Sequence, residues 1–304
     1  MRTIRNLAYL LGASALLSST AFGANAPAAT ATTAAPATAL RPSPLTAEQI
    51  IEKNVEARGG LSAWRAVQTL TMVGMMDAGP AKIPAAEYQP ASQQLAKAEN
   101  RAMARAALEE QRRNEGKPMK MVQLPFAMEQ KRGRKQRVEL EFQGQKAVQT
   151  YDGAHGWKLR PFLGRNEAEP FNADEEKVAA QAQDLDGPLI DYKSKGTRVA
   201  VEGIEPVEGR DAYNLRLTLA NGTTRHVWVD ATSFLEVKID GTRRLDGKQV
   251  PLATFIRDYR SVNGLKVPFL TETQVSGVKY SEKVQIEKVS LNTPLDDARF
   301  GKPQ

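Results

Sequence analysis

The chain has no cysteine and only two histidines, His155 and His226, and these shortages restrict the chemistry it can carry out. Without cysteine it forms no disulfide, has no thiolate nucleophile or thiolate metal ligand, and carries no lipid on an N-terminal cysteine. The histidines fit no zinc-binding spacing, and neither a G-x-S-x-G turn nor a phosphate-binding glycine loop is present. We therefore expect a protein that is not an enzyme, with no catalytic residue, no metal site and no cofactor.

Long apolar runs are also scarce, and the only one of note lies at residues 7–17. It follows the basic residues Arg2 and Arg5 and precedes Ala21-Phe22-Gly23, a small-residue cleavage pattern. This is the arrangement of a secretory signal peptide, which we place at residues 1–23. No later run is long enough to span a bilayer, so we expect a soluble protein of the periplasm.

Residues 24–44 contain mostly Ala, Thr and Pro and almost no large apolar side chain, which predicts a disordered linker. The formal net charge is +7, and removal of Arg2 and Arg5 with the signal peptide leaves 7 − 2 = +5. A mild basic excess suits transient contact with an anionic membrane surface, although a basic surface without a partner is equally compatible. Nucleic acid is not expected, because no basic-aromatic module is present.

The folded domain is predicted at residues 45–304 and begins with a helix. Thr46 and Gln49 have the spacing of a capping box, and Gly59-Gly60 is a helix stop. A second short helix is expected at residues 61–67, with Trp64 packed inward. The first strand follows from Leu70.

A charged insertion then interrupts the strand pattern at residues 77–118. Three prolines lead into a stretch rich in Ala, Gln, Arg and Glu, which predicts a loosely packed helix at residues 92–116. Mixed charge of this kind is typical of a solvated helix face, and a partner-binding arm is the alternative.

From residue 119 to residue 292 the chain alternates apolar and polar side chains between turn sequences, which indicates about ten antiparallel strands. Only a polar helix at residues 173–183 and the N-terminal helices are available to cover the apolar face of this sheet. The fold class is therefore mainly β (α+β). We expect a curved antiparallel sheet, or incomplete β-barrel, wrapped around a few helices, with room for an apolar cavity.

Two turns set the predicted pairing of the later strands. Asn221-Gly222, taken as a two-residue hairpin loop, pairs Leu215 with Trp228 and Leu217 with His226. Ser276-Gly277 pairs Phe269 with Val284 and Val267 with Ile286 on one apolar face. The candidate cavity-lining residues are those that share these apolar faces, although each can equally be core: Leu215, Leu217, Trp228, Phe269 and Val284.

Residues 151–157, Tyr-Asp-Gly-Ala-His-Gly-Trp, hold one of the two histidines among turn-forming residues. The glycines accept positive φ, and the flanking aromatic residues can stabilise a hairpin. We interpret this stretch as a hairpin with His155 exposed at its tip. His226 is expected in mid-strand as a half-buried packing residue.

Four phrases, taken in order, resemble a known family: IIEKNVEARGGLSAWRAVQTL, YDGAHGW, YNLRLTLANGTTRHVWVDATSFLEVKI, and DYRSVNGLKVPFLTET followed by VQIEKVSLNTPLDDARF. They are similar to outer-membrane lipoprotein-sorting proteins of the LolA/LolB-like superfamily, over residues 46–301 apart from the insertion. The resemblance implies an incomplete antiparallel barrel closed by helices around a cavity for acyl chains. No binding residue of that family maps onto this chain.

The leading functional hypothesis is a noncatalytic periplasmic carrier or binder of lipids or lipoprotein acyl chains. The alternative is an envelope protein-interaction or sensor domain, or the accessory partner of an exported peptidase, with residues 92–116 as the docking element. A hydrolase would need His155 or His226 beside a carboxylate in a cleft.

Overall fold

The computed structural model describes residues 40–80, 121–180, 184–245 and 248–304. The predicted signal peptide and most of the predicted linker and helical insertion lie outside these residues, including the arm at 92–116. Residues 77–80 are described and continue the first strand, so the predicted start of the insertion at residue 77 is wrong.

The helices are few and short, as expected. α1 is Ala47–Ala57, α2 is Leu61–Ala66 and α3 is Ala173–Ala180, and two 3-10 turns are η1 Pro161–Leu163 and η2 Asp297–Phe300. The strands of the described residues number thirteen: β1 Thr69–Pro80, β2 Met121–Lys131, β3 Lys135–Phe142, β4 Gln145–Tyr151, β5 Gly156–Arg160, β6 Arg165–Pro170, β7 Arg198–Val207, β8 Arg210–Thr218, β9 Thr224–Asp230, β10 Glu236–Leu245, β11 Lys248–Val262, β12 Leu265–Val275 and β13 Ser281–Leu291.

All thirteen strands belong to one antiparallel sheet, in the order β6-β5-β4-β3-β2-β1-β13-β12-β11-β10-β9-β8-β7. The chain therefore makes two meanders that join where β1 pairs with β13. The predicted curved, mainly β sheet is confirmed. The predicted number of strands, about ten, was too low. The two edge strands, β6 and β7, have few buried side chains, so their sequences show little alternation of apolar and polar residues.

The N-terminal helix forms for the reason its sequence indicates. Gln49 N donates to Thr46 Oγ1 at 3.3 Å and Thr46 N donates to Gln49 Oε1 at 2.9 Å, which completes the capping box. The helix ends beside Gly59, where φ is +111° and an added Cβ would lie 2.6 Å from Gly264 O. Glycine is required at position 59 by both its conformation and this close approach.

The predicted disordered linker ends earlier than residue 44. Arg41 N donates to Ile204 O at 3.0 Å, and Ile204 N donates to Arg41 O at 2.7 Å, so Arg41 forms a β-bridge with edge strand β7. Its guanidinium also pairs with Asp211 on β8. These contacts attach residues just before α1 to the sheet.

The predicted β8–β9 register is wrong by one residue. Leu215 pairs with Val227 and Leu217 with Arg225, because the loop between the strands has three residues rather than two. Gly222 N donates to Leu219 O and Leu219 N to Thr223 O, with φ of +82° at Gly222. This is a type I turn followed by a left-handed glycine, the usual geometry of a three-residue hairpin loop.

The predicted β12–β13 register is wrong by two residues. Thr271, not Phe269, pairs with Val284, and the paired residues Gln274 and Ser281 flank a loop longer than the two residues expected. Because side chains alternate with a period of two, this shift leaves Phe269 and Val284 on the predicted face.

The hairpin predicted at residues 151–157 is confirmed. Asp152 Oδ1 accepts from the backbone N–H groups of Ala154 and His155 at 2.8 and 2.7 Å, which closes the turn through a side chain. His155 is exposed at the tip, as expected. Tyr151 pairs with Gly156 rather than lying opposite Trp157.

Candidate functional site: the concave apolar face

One face of the sheet, called the inner face below, carries two apolar clusters and packs against the N-terminal helices. Phe269 and Val284 belong to the first cluster, together with Trp64 of α2. Leu215 and Leu217 belong to the second, together with Ile50 and Ile51 of α1. Four of the five predicted lining residues therefore lie on this face, and all four are buried.

Trp228 lies on the opposite face, so its predicted position beside Leu215 and Leu217 is wrong. The one-residue change of register reverses every side chain of β9. Trp228 packs in a separate cluster with Val207 and Val237, its Nε1 donates to Glu205, and Lys238 Nζ lies 3.9 Å from its ring centre. These contacts are those of an amphipathic aromatic side chain on an outer surface.

At one end of the inner face, a buried polar network holds α1 to the sheet. Arg58 Nη1 donates to Asp186 O at 2.8 Å and to Glu236 Oε1 at 3.3 Å, and its guanidinium lies 4.4 Å from the ring centre of Trp64. Tyr259 Oη donates to Glu236 Oε2 at 3.2 Å, and burial together with this carboxylate holds the pKa of the Tyr259 phenol well above its ordinary value. The charged groups of this network are paired, which is the usual arrangement of buried ions.

The segment between β6 and β7 crosses the same end of the inner face at residues 184–190, and it reaches the β8–β9 loop at Gly196. Leu185, Leu189 and Ile190 are buried in the two clusters. Asp186 accepts from Arg132 Nη1 at 2.6 Å and from Lys195 Nζ. The helices and this segment therefore cover this end, called the helix end below.

The other end of the inner face contains Arg225, a functional candidate that the sequence analysis missed. The residue is 1% exposed, and its Nε, Nη1 and Nη2 atoms have no hydrogen-bond partner. Burial lowers the pKa of the guanidinium to about 10, opposed by the negative charge of Asp240. Arg225 therefore remains a cation at neutral pH, among apolar neighbours that include Leu217 and Val227.

The strands separate beside Arg225. Pairing between β9 and β10 includes Val227 with Ile239 but goes no further, although β9 starts at Thr224 and β10 continues to Leu245. Beyond this point the backbone N–H of His226 donates a hydrogen bond to the side chain of Asp240 at 2.5 Å, rather than to a backbone carbonyl of β10. Residues 240–245 of β10 thus have no ladder pair with β9, next to Arg225.

The two histidines have different surroundings, because His155 is exposed at a hairpin tip and His226 contacts two carboxylates. His226 Nδ1 lies 2.7 Å from Asp240 Oδ2 and its Nε2 lies 3.5 Å from Glu202 Oε2, so carboxylates face both ring nitrogens. The ring is half-buried on the outer face beside Trp228, with centroids 5.8 Å apart. Within the described part of the chain, no group of three or more His, Cys, Asp or Glu side chains could hold a metal ion.

A thirteen-stranded curved sheet with helices on its concave side defines a LolA-like fold. Solved structures agree. The LolA superfamily protein NE2245 from Nitrosomonas europaea is 14% identical with a TM-score of 0.51, covering 85% of this chain and 98% of that one. A DUF1329 family protein from Desulfovibrio piger is 13% identical with a TM-score of 0.50, covering 84% and 96%.

An outer membrane lipoprotein-sorting protein domain from Vibrio parahaemolyticus is 11% identical, with a TM-score of 0.46 over 83% of this chain and 94% of that one. No family model and no curated protein matches the chain. At 13–14% identity, the likeness to the Nitrosomonas and Desulfovibrio structures is one of fold, and it confirms the LolA-like fold that the four sequence phrases implied. In the described residues, no helix is long and apolar enough to cross a membrane.

Proposed function

We propose that this chain is a noncatalytic carrier or binder of lipids or lipoprotein acyl chains in the periplasm, released there after cleavage of residues 1–23. The observation that carries the proposal is the apolar inner face of a LolA-like sheet, with its two buried clusters. Both of its clusters are lined by strand residues and covered by short helices. Such a face can bind an acyl chain if the cover shifts.

Burial of apolar surface supplies the affinity. Each CH₂ group removed from water contributes about 0.8 kcal/mol, so a long acyl chain binds without a polar motif. The proposed lining residues are the four predicted ones on the inner face, namely Leu215, Leu217, Phe269 and Val284. Trp228 is not among them because it lies on the outer face.

The contacts of the histidines support the noncatalytic part of the proposal. A general base needs a free ring nitrogen near a reacting group. His226 has a carboxylate at each nitrogen, and none of its contacts is with a hydroxyl nucleophile. His155 lies exposed at a hairpin tip.

Native mass spectrometry of the mature protein, purified from periplasm without detergent and followed by organic extraction, tests the proposal. We expect a co-purifying phospholipid or acylated peptide. A protein mass with no adduct, and no uptake of added lipid, would contradict the carrier function. That result would favour the alternative of a protein-interaction domain that docks through residues 92–116, which lie outside the described residues.

A pair of variants on one strand tests the location of the site. Leu217→Phe adds volume to the inner face. Arg216 is the adjacent residue on the same strand and faces the other way, so Arg216→Phe places the same ring on the outer face. We expect Leu217→Phe to reduce acyl-chain uptake at least severalfold and Arg216→Phe to leave it unchanged. Circular dichroism confirms folding, since overpacking costs about 1–3 kcal/mol. Equal uptake by both variants would place the binding site elsewhere.

A further inference from the structure

Arg225 is a buried charge without a partner on the inner face, and an acyl-chain site does not explain it. An acyl tail needs only apolar surface, yet β9 places a guanidinium between the buried side chains Leu217 and Val227. The other buried arginine of the described residues, Arg58, shows the usual solution, because it donates to Glu236 and to a backbone carbonyl. Arg225 has neither kind of acceptor.

A guanidinium buried in this way has five N–H donors and a full charge to satisfy. Unpaired buried donors raise the free energy of the folded protein. The side chains around the guanidinium supply no acceptor, so only an acceptor from outside them removes this cost. The planar fork of arginine matches a carboxylate or a phosphate, which accept two parallel hydrogen bonds and neutralise the charge. A neutral hydroxyl or ester oxygen accepts these hydrogen bonds incompletely and does not neutralise the charge.

The architecture provides a route to the guanidinium. Arg225 lies one residue from the start of β9, where the β10–β11 hairpin is no longer paired with β9. Because the guanidinium is 1% exposed, an anion reaches it only when the structure around it opens, and the break in β9–β10 pairing provides one such place beside Arg225. Movement there breaks no β9–β10 ladder bond beyond the Val227–Ile239 pair, and it displaces the contacts of the Asp240 carboxylate with the backbone N–H and the ring Nδ1 of His226.

We propose that Arg225 binds the anionic group of an amphiphilic ligand, a carboxylate or a phosphate, while the acyl tail of that ligand packs along the inner face. This inference rests on the proposed carrier function and adds the charge and the orientation of the ligand. The head group lies at the β9–β10 separation, and the tail points toward the helix end. A ligand with acyl chains but no anion satisfies only the apolar half of the site.

The test compares ligands that differ only in the anionic group. Hexadecanoate is paired with hexadecanol, and dipalmitoyl phosphatidic acid with dipalmitoylglycerol, and dissociation constants are measured by calorimetry for wild type and Arg225→Met. We expect wild type to bind the anionic member of at least one pair about 10–100-fold more tightly. Whichever pair shows the larger ratio identifies a carboxylate or a phosphate as the preferred anion.

Arg225→Met keeps an unbranched side chain of similar length without charge, so it should bind both members of each pair within about twofold. Arg216→Met, which removes an arginine from the outer face of the adjacent strand, should keep the wild-type preference. Equal affinities in wild type, or an undiminished preference in Arg225→Met, would overturn the inference while leaving the carrier function in place. Failure of wild type to bind all four probes would overturn both. The wild-type comparison alone decides the matter should a variant fail to fold.

Discussion

At the scale of single residues, we expect Arg225 to lower the free energy of unfolding. Its neighbours on the inner face are apolar, and its three guanidinium nitrogens have no partner in the protein. A buried charge without a partner destabilises a protein by several kcal/mol. Replacement of buried charged side chains by apolar ones of similar volume is often neutral or stabilising. A residue that weakens the fold and is nonetheless present is typical of a binding site.

Replacement of this arginine should therefore stabilise the protein while it removes the proposed anion site. We expect Arg225→Met to raise the free energy of unfolding by about 1–4 kcal/mol, measured by urea denaturation at neutral pH. Arg216→Met removes only the exposed ion pair with Glu202 and should change the free energy of unfolding by less than about 1 kcal/mol. A marked loss of stability in Arg225→Met would identify the guanidinium as a structural group instead.

Residue positions could be predicted where the determining contacts are local. The capping residues of α1 and the exposed position of His155 depend on side chains a few positions away, and these predictions are confirmed. The position of Arg225 could not be predicted. With a two-residue loop after β8, His226 and Trp228 would face inward and Arg225 outward, and the third loop residue reverses all three.

At the scale of elements, β1 is bent by an irregularity at its centre. The register between β1 and β13 shifts between Val73 and Gly74. A Cβ at position 74 would lie 2.0 Å from Gln285 O, which is a backbone atom that no rotamer change can move. The close approach of the two backbones therefore requires glycine here, at the junction of the two meanders.

Gly74→Ala should accordingly destabilise the whole sheet. We expect a loss of about 2–4 kcal/mol in the free energy of unfolding, with a matching fall in melting temperature. Gly301→Ala is the matched control, because its Cβ would meet Ala298 O at an ordinary 3.5 Å and its φ of −79° suits alanine. An equal effect of both substitutions would show that the β1–β13 junction tolerates a side chain.

Element boundaries followed the sequence pattern where alternation was strong. β12 alternates buried and partly buried side chains along its length, and this kept Phe269 on its predicted face even though the pairing was displaced by two residues. The edge strand β6 has no buried residue, so no apolar period marks it. The separation of β10 from β9 depends on Asp240 binding a backbone N–H across strands, which no local pattern reveals.

At the scale of the whole molecule, the two ends of the inner face differ in polarity and in cover. The helix end is closed by α1, α2 and residues 184–190, and its buried charges are paired. The opposite end holds an unpaired cation beside a separation in the sheet. Arg225 and Val229 are four residues apart on β9, about 13 Å, and Val229 pairs with Glu236, the partner of Arg58. The sequence predicted the curved sheet, because its helices are too few to cover a flat one, but not this asymmetry.

This polarity predicts the orientation of a bound acyl chain, which the tryptophans can report. Trp64 belongs to an inner cluster at the helix end, whereas Trp157 and Trp228 belong to neither inner cluster. Hexadecanoate brominated at its terminal carbon should therefore quench Trp64 more strongly than hexadecanoate brominated beside the carboxylate, because the carboxylate binds at Arg225. The measurement uses a protein in which Trp157 and Trp228 are phenylalanine, with Trp64→Phe in the otherwise natural chain as the control that should lose this quenching. Stronger quenching by bromine beside the carboxylate would reverse the orientation and place the anion at the helix end, where Arg58 and Arg132 already have carboxylate partners.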